Sequence, residues 1–149
     1  MRSWTAQAKK GPVNQDMQTI LVVDDEVEDR DTIRAALEAR GDTVFEACNY
    51  CSAVKTFEQH RDEIDLLITD VSLPDENGCE LAKSILKSKP AVKILFISGH
   101  AGFEICRFYG LVGPGLHFLE KPFKPIELLV RVWRILFSSD KFDLNRVAS

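Results

Sequence analysis

An apolar run that empties straight into three acids, Thr19-Ile20-Leu21-Val22-Val23-Asp24-Asp25-Glu26, constrains this chain more than any other stretch. It holds no turn residue and no alternation of apolar with polar. Both faces of the short strand it predicts are therefore buried, as in the middle of a parallel sheet. Acids crowded at the end of such a strand repel one another and resist burial. A cation is the simplest partner that makes the arrangement favourable.

The same grammar repeats downstream. Thr43–Ala47, Leu66–Thr69, Val92–Ile97 and Leu116–Leu119 read as four further strands, the third strand of the chain ending on Asp70 and the fourth on Ser98-Gly99. Between them lie helical patterns. Glu26–Arg40 carries Ile33, Ala36 and Leu37 on one face, acids in its first turn and Gly41 as its stop. Ser52–His60 points Ala53, Val54 and Phe57 inward, and Leu81, Ala82, Ile85 and Leu86 form a stripe that Lys89-Pro90 ends. Pro74 and Asn77-Gly78 mark a loop. Phe103–Tyr109, set between Gly102 and Gly110, is barely two turns; the last helix opens on Pro125 and places Leu129, Val132, Trp133 and Leu136 on one face. Five strands alternating with five helices predict an α/β domain with a central parallel sheet and right-handed crossovers.

A chain of 149 residues has room for one such domain. Residues 1–16, with Gly11-Pro12 and no periodicity, read as a mobile tail or linker, 17–138 as the domain and 139–149 as a polar tail. The 45% hydrophobic and 28% charged content is that of a soluble globular protein, and the net charge of -4 offers no general attraction to nucleic acid or an anionic membrane. No apolar run approaches the ~18–20 residues that span a bilayer, and with no apolar block in residues 1–16 a secretory signal is not expected. A cytoplasmic location is expected. The four cysteines include one C-x-x-C, Cys48 and Cys51, with no second pair to complete a zinc site. All four, with Cys79 and Cys106, are expected to be reduced and packed as small hydrophobes.

Chemistry gathers at the strand ends. Asp24 and Asp25 follow the first strand, Asp70 the third, Ser98 the fourth and Lys121 the fifth. In an open parallel sheet the ligand crevice lies just beyond the carboxyl ends of the strands, so these distant residues converge on one pocket. A carboxylate there can attack a phosphoryl group and hold it as an acyl phosphate. A hard dication such as Mg²⁺, which takes few protein carboxylates and binds phosphate oxygens, suits its acidic neighbours. Lys121 adds a point positive charge and Ser98 a hydroxyl donor.

These pieces, LVVDDE, LLITDVSLPDENG, FISGH and FLEKPF, resemble the receiver (phosphoacceptor) domain of two-component response regulators across residues 17–138. The pattern is similar in particular to receiver domains of hybrid sensor histidine kinases. The resemblance implies a flavodoxin-like fold: one five-stranded parallel sheet in the order 2-1-3-4-5, helices on both faces and, here, a short fourth helix. It implies that Asp70 accepts a phosphoryl group from a phosphohistidine of a sensor histidine kinase or histidine phosphotransfer protein. Mg²⁺ is then held by Asp25, Asp70 and the backbone carbonyl of Ser72, with Asp24 behind them or bonded through water. Lys121 and Ser98 meet the phosphoryl oxygens, and the Lys121-Pro122 bond is cis. Phe118 stands where the family has a switching aromatic, more often tyrosine; without a hydroxyl to desolvate it is expected to favour the inward rotamer. Ser72 and His100 occupy the places that govern how long the phosphoryl group lasts.

Such a domain is a signalling phosphoacceptor rather than an enzyme, promoting only its own phosphorylation and dephosphorylation. Its output is contact with an unknown downstream protein, with no nucleic acid or membrane partner. Gly110-Leu111-Val112-Gly113-Pro114-Gly115 replaces the usual longer helix and tight entry to the fifth strand, which weakens any inference that output uses the fourth-helix surface.

Each motif has a plainer reading on its own. The acids after strand one could serve a helix N-terminus, Asp70 could cap a loop, Lys121 could be a surface residue before a turn proline, and Phe118 could be core. His60, His100 and His117 lack spacing for a metal. A haloacid dehalogenase-like phosphohydrolase also uses an aspartyl nucleophile and Mg²⁺, but resembles D-x-D where this chain has Asp70-Val71-Ser72. A flavodoxin-like cofactor binder lacks its phosphate loop here, and a degenerate receiver is at odds with the complete motifs.

Overall fold

The computed structural model describes residues 17–99, 101–138 and 142–144. The expected tail at 1–16, His100 and most of 139–149 lie outside the described residues. The elements run β1 (Thr19–Val23), α1 (Val27–Arg40), β2 (Thr43–Ala47), α2 (Tyr50–Gln59), β3 (Leu66–Asp70), α3 (Gly78–Ser88), β4 (Lys93–Ser98), α4 (Gly102–Phe108), β5 (Leu116–Glu120) and α5 (Pro125–Leu136). All strands are parallel in one sheet ordered β2-β1-β3-β4-β5. The α/β class, the strand order and the short fourth helix stand as expected.

Why the strands lack alternation is visible in where each residue goes. Leu21 and Val23 of β1 enter one core with Ala53 and Phe57 of α2, Leu81 and Ile85 of α3 and Cys106 of α4. Ile20 and Val22 enter a second core with Ile33 and Leu37 of α1 and Leu128, Val132 and Ile135 of α5. Every one of these strand positions thus has an apolar destination on one face or the other. Helices α1 and α5 cover one side of the sheet, α2, α3 and α4 the other.

Local signals set the boundaries. Gly41 closes α1 at φ 104, a left-handed turn that a side chain would strain. α2 begins at Tyr50, earlier than the expected Ser52, because Asn49 caps it by accepting from the Ser52 N–H at 2.8 Å. Asp75, reaching over from the loop after β3, accepts from the Tyr50 and Cys51 N–H groups at 2.8 and 3.0 Å. Asn77 caps α3 through the Glu80 N–H at 2.9 Å.

Three expectations need correction. The buried line of α5 is Leu128, Val132 and Ile135, whereas Trp133 is exposed and rests on Phe137 at 4.9 Å between ring centroids. Cys48 and Cys51 are exposed rather than packed; only Cys79 and Cys106 are buried. The expected polar tail at 139–149 also holds two apolar anchors, since Phe142 and Leu144 pack against the first core.

The join between α1 and β2 depends on one buried acid. Asp42 accepts from the Gln18 N–H at 2.9 Å and from Arg40 Nε and Nη2 at 2.8 and 2.9 Å. Its side chain is wholly buried. Removing the buried carboxylate breaks all three of these hydrogen bonds at once, so Asp42→Ala is expected to cost about 2–3 kcal/mol in denaturant unfolding. A loss under about 0.5 kcal/mol, the usual range for a surface change, would place the contact outside the stabilising set.

Candidate functional site

The carboxyl ends of β1, β3 and β5 deliver Asp24, Asp70 and Lys121 to one point. Lys121 Nζ lies 3.0 Å from Asp24 Oδ2 and 2.7 Å from Asp70 Oδ2. It also meets Glu26 Oε1 at 3.0 Å and Asp29 Oδ2 at 2.8 Å. Oxygens of Asp24, Asp25 and Asp70 all fall within 4.8 Å of one another, as do those of Asp24, Glu26 and Asp29. Four carboxylates therefore contact one ammonium, and a fifth, Asp25, lies beside two of them.

Their environments differ. Asp24 is fully buried, accepting also from the Glu26 N–H at 2.9 Å, while its backbone carbonyl accepts from Arg30 Nη1 at 2.7 Å. Burial pushes the Asp24 carboxyl above its ordinary pKa, against the pull of the Glu26 N–H and Lys121. Asp25 is exposed, at the mouth. Lys121 holds Asp29 below the usual carboxylate range by direct hydrogen bonding. Burial alone would lower the Lys121 pKa, but hydrogen bonds to Asp29, Asp70, Asp24 and Glu26 overcome it and raise it.

Asp70 is held on three sides. Its Oδ1 accepts from the Ser72 N–H at 2.9 Å, its Oδ2 from Lys121, and its backbone carbonyl from Thr69 Oγ1 at 2.9 Å. Gly78 packs on that same carbonyl so closely that a Cβ would overlap it. Ser72 itself is exposed.

The Ser98 side of the pocket is apolar. Ser98, half-buried at the end of β4, accepts the Lys121 N–H on its carbonyl at 2.7 Å, tying β4 to the lysine. The Lys121-Pro122 peptide is cis, as the resemblance implied. Phe118 is half-buried, stacked on Phe96 at 5.4 Å and meeting Phe103 edge-on at 5.1 Å. Ser98, Phe103, Phe118 and Arg131 line a cavity of about 290 Å³ beside it. Arg131 Nη1 donates to the Phe118 carbonyl.

Gly102, the first residue of α4, sits directly over the Ser98 side chain, with no room for a Cβ. Gly102→Ala is accordingly expected to displace the Ser98 hydroxyl or lift α4, at a cost of about 1–3 kcal/mol. Phosphorylation by a small phosphodonor should slow with it; a variant with unchanged stability and rate would show that Ser98 has room to move.

The structure thus brings Asp24, Asp25, Asp70 and Lys121 together and puts Ser98 and Phe118 at the neighbouring wall, while His100 lies outside the described residues. Sequence reasoning missed Glu26 and Asp29 as lysine partners, Arg30 as the brace on Asp24, and the two close glycines Gly78 and Gly102.

Residues 20–133 match the family model described as the response regulator receiver domain. The chain belongs to this family. It is 34% identical over 122 residues to the aerobic respiration control protein ArcA of Escherichia coli (strain K12), over 80% of this chain and 50% of that protein. It is 33% identical over 118 residues to the sensor kinase CckA of Brucella abortus, over 76% of this chain and 12% of the kinase. The receiver therefore spans about half the length of ArcA and a far smaller part of CckA. Among solved structures, the receiver domain of the hybrid histidine kinase CckA is 33% identical with a TM-score of 0.66, over 79% of this chain and 98% of that one. Chemotaxis protein CheY4 of Vibrio cholerae is 27% identical with a TM-score of 0.72, over 80% and 98%. These matches give the haloacid dehalogenase reading no support. No helix among the described residues is long and apolar enough to cross a membrane.

Proposed function

We propose that this receiver takes a phosphoryl group onto the Asp70 carboxylate from the phosphohistidine of a sensor histidine kinase or a histidine phosphotransfer protein, and that the modified domain changes its contacts with a downstream protein. The observation that carries the reading is the setting of Asp70: one oxygen held by the Ser72 N–H, the other by Lys121, with Asp24 and Asp25 alongside.

The donor set fits a hard dication, being all oxygen, close and in excess of positive charge. Asp25, Asp70 and the Ser72 carbonyl would hold Mg²⁺, with Asp24 behind them or joined through water. When bound, the ion neutralises charge on the carboxylates and on phosphoryl oxygens. The chain's own residues do the rest. An Asp70 oxygen attacks phosphorus as the P–N bond to imidazole breaks, and the loose transition state asks mainly for position and charge. The Ser72 N–H and the packed carbonyl of Asp70 fix the nucleophile's angle, and Lys121 turns from its carboxylates to the incoming phosphoryl oxygens. Ser98 supplies a hydroxyl to the same group, and Ser72 and His100 set how long it lasts.

New charge at Asp70 would draw Ser98 and Lys121 inward and loosen the wall that holds Phe118. Phe118, lacking a hydroxyl, should move further into the cavity beside Phe96. NMR ring-proton shifts of Phe118 are expected to change on adding beryllofluoride with Mg²⁺; identical shifts would remove Phe118 from the switch.

The decisive experiment exposes the protein to acetyl phosphate with Mg²⁺ and weighs it intact. A gain of one phosphoryl group, abolished by a chelator, is expected. No gain, or sustained turnover of small phosphate esters, would overturn the reading.

A further inference from the structure

Phosphoryl chemistry leaves one pair of reactive side chains unused. Cys79 in the first turn of α3 and Cys106 on α4 are both fully buried, and their sulfurs lie 3.2 Å apart. Both are free thiols. We propose that Cys79 and Cys106 are an oxidation site, closing to a reversible disulfide that staples α4 to α3 when a hydroperoxide reaches them.

Proximity is the main support. A disulfide bond measures about 2.05 Å, so the sulfurs need to approach by only ~1.2 Å. The roles within the pair are unequal. Either thiol can donate to the other at this distance; donation from Cys106 lowers the Cys79 pKa and raises that of Cys106. Burial and the Glu80 carboxylate oppose a thiolate there, while the hydrogen bond from Cys106, Lys83 and the positive end of α3 favour it, so Cys79 is the attacking sulfur. It attacks the hydroperoxide, the O–O bond breaks, alcohol (or water) leaves and a sulfenic acid remains. Cys106 then attacks that sulfur, the S–O bond breaks and water leaves. Two thiols have lost two protons and two electrons; the hydroperoxide has taken them up as alcohol (or water) and water.

Access comes from the weakness of α4. It has seven residues, and its N-cap residue Ala101 makes no side-chain cap. Isolated turns of that length hold together only through packing and open locally. The same helix touches the switch wall, since Gly102 sits over Ser98 and Phe103 meets Phe118. Its end is tied to α3 by the Asn77 Nδ2 donation to Tyr109 Oη at 2.8 Å. A covalent staple at Cys106 would hold α4 in this seat and slow any rearrangement of Ser98 and Phe118. This consequence rests on the phosphoacceptor reading; the bond itself does not.

The test uses the full chain with Cys48→Ser and Cys51→Ser, which removes the exposed competitors. Hydrogen peroxide treatment, alkylation of remaining thiols and peptide mapping should give a Cys79–Cys106 cross-linked peptide, reversed by a thiol reductant. Amide exchange over residues 102–109 should slow about tenfold in the oxidised form. Unoxidised thiols, or sulfinic acid at Cys79 with no cross-link, would overturn the proposal. Should the double variant fail to fold, the same cross-linked peptide is sought in oxidised wild type, where its absence is equally fatal. Acetyl phosphate labelling, compared between reduced and oxidised protein, should fall severalfold on oxidation. Equal labelling would end the coupling to the switch while leaving the cross-link. Failure of the reduced protein to label would instead strike the phosphoacceptor reading.

Discussion

Asp70→Asn is expected to take up no phosphoryl group from acetyl phosphate, while wild type should gain one under the same conditions. The change is close to isosteric. An asparagine at position 70 keeps a side-chain oxygen for the Ser72 N–H and leaves the backbone carbonyl free to receive Thr69 Oγ1. What disappears is the proposed nucleophile and one of the four carboxylate charges on Lys121. Loss of a nucleophile that acts as part of a unit costs roughly 10³-fold in rate or more. The fold should not suffer, because removing a charge from a crowded acidic pocket relieves repulsion there. Thermal stability without divalent ions is therefore expected to be equal or higher, with melting within a few degrees of wild type. Intact mass and a melting curve check both halves. Labelling of Asp70→Asn at the wild-type rate would move the acceptor to Asp24 or Asp25 and undo the assignment.

How much of this is legible in the sequence depends on whether the cause is local. Strand ends are readable because an apolar run and its terminal acid are adjacent in sequence, and sheet topology carries them to one edge. Glu26 and Asp29 are not, because acids in a helix's first turn already have a local explanation in the macrodipole. Nothing near them announces that a lysine from the end of β5 will arrive. The buried face of α5 is misplaced for a related reason. Pro125-Ile-Glu-Leu-Leu-Val-Arg-Val-Trp-Arg-Ile-Leu is apolar on more than one side, and only the sheet beneath selects Leu128, Val132 and Ile135 over Trp133. The cysteines repeat the lesson. The C-x-x-C spacing singles out Cys48 and Cys51, yet the thiols in contact are Cys79 and Cys106, joined by two helices on the same face of the sheet.

Lys121→Met is the second large effect and separates charge from packing. Methionine keeps most of the stem's volume but leaves Asp24 and Asp70 facing each other, both largely buried, without a counter-charge. In the absence of divalent ions the variant should lose about 2–3 kcal/mol, somewhat less than a fully enclosed pair, because Glu26 and Asp29 are partly solvated. The pH dependence carries the sign. The pKa of Lys121 is raised, so its contribution is fully present below its ordinary 10.5 and fades only as pH climbs through the folded value. The pKa of Asp29 is lowered, so its share is present above its ordinary 3.8 and fades as pH falls through the folded value. The stability gap between wild type and variant should therefore narrow as pH falls, first as Asp24, raised by burial and without its lysine in the variant, takes up a proton, and then through Asp29. Mg²⁺ competes with the ammonium for the same oxygens, so calorimetry should show tighter Mg²⁺ binding by Lys121→Met. Phosphorylation should nevertheless slow roughly 10²–10³-fold, since the charge meant for the phosphoryl oxygens has gone. Weaker Mg²⁺ binding in the variant would mean that Lys121 organises the carboxylates rather than competing for them.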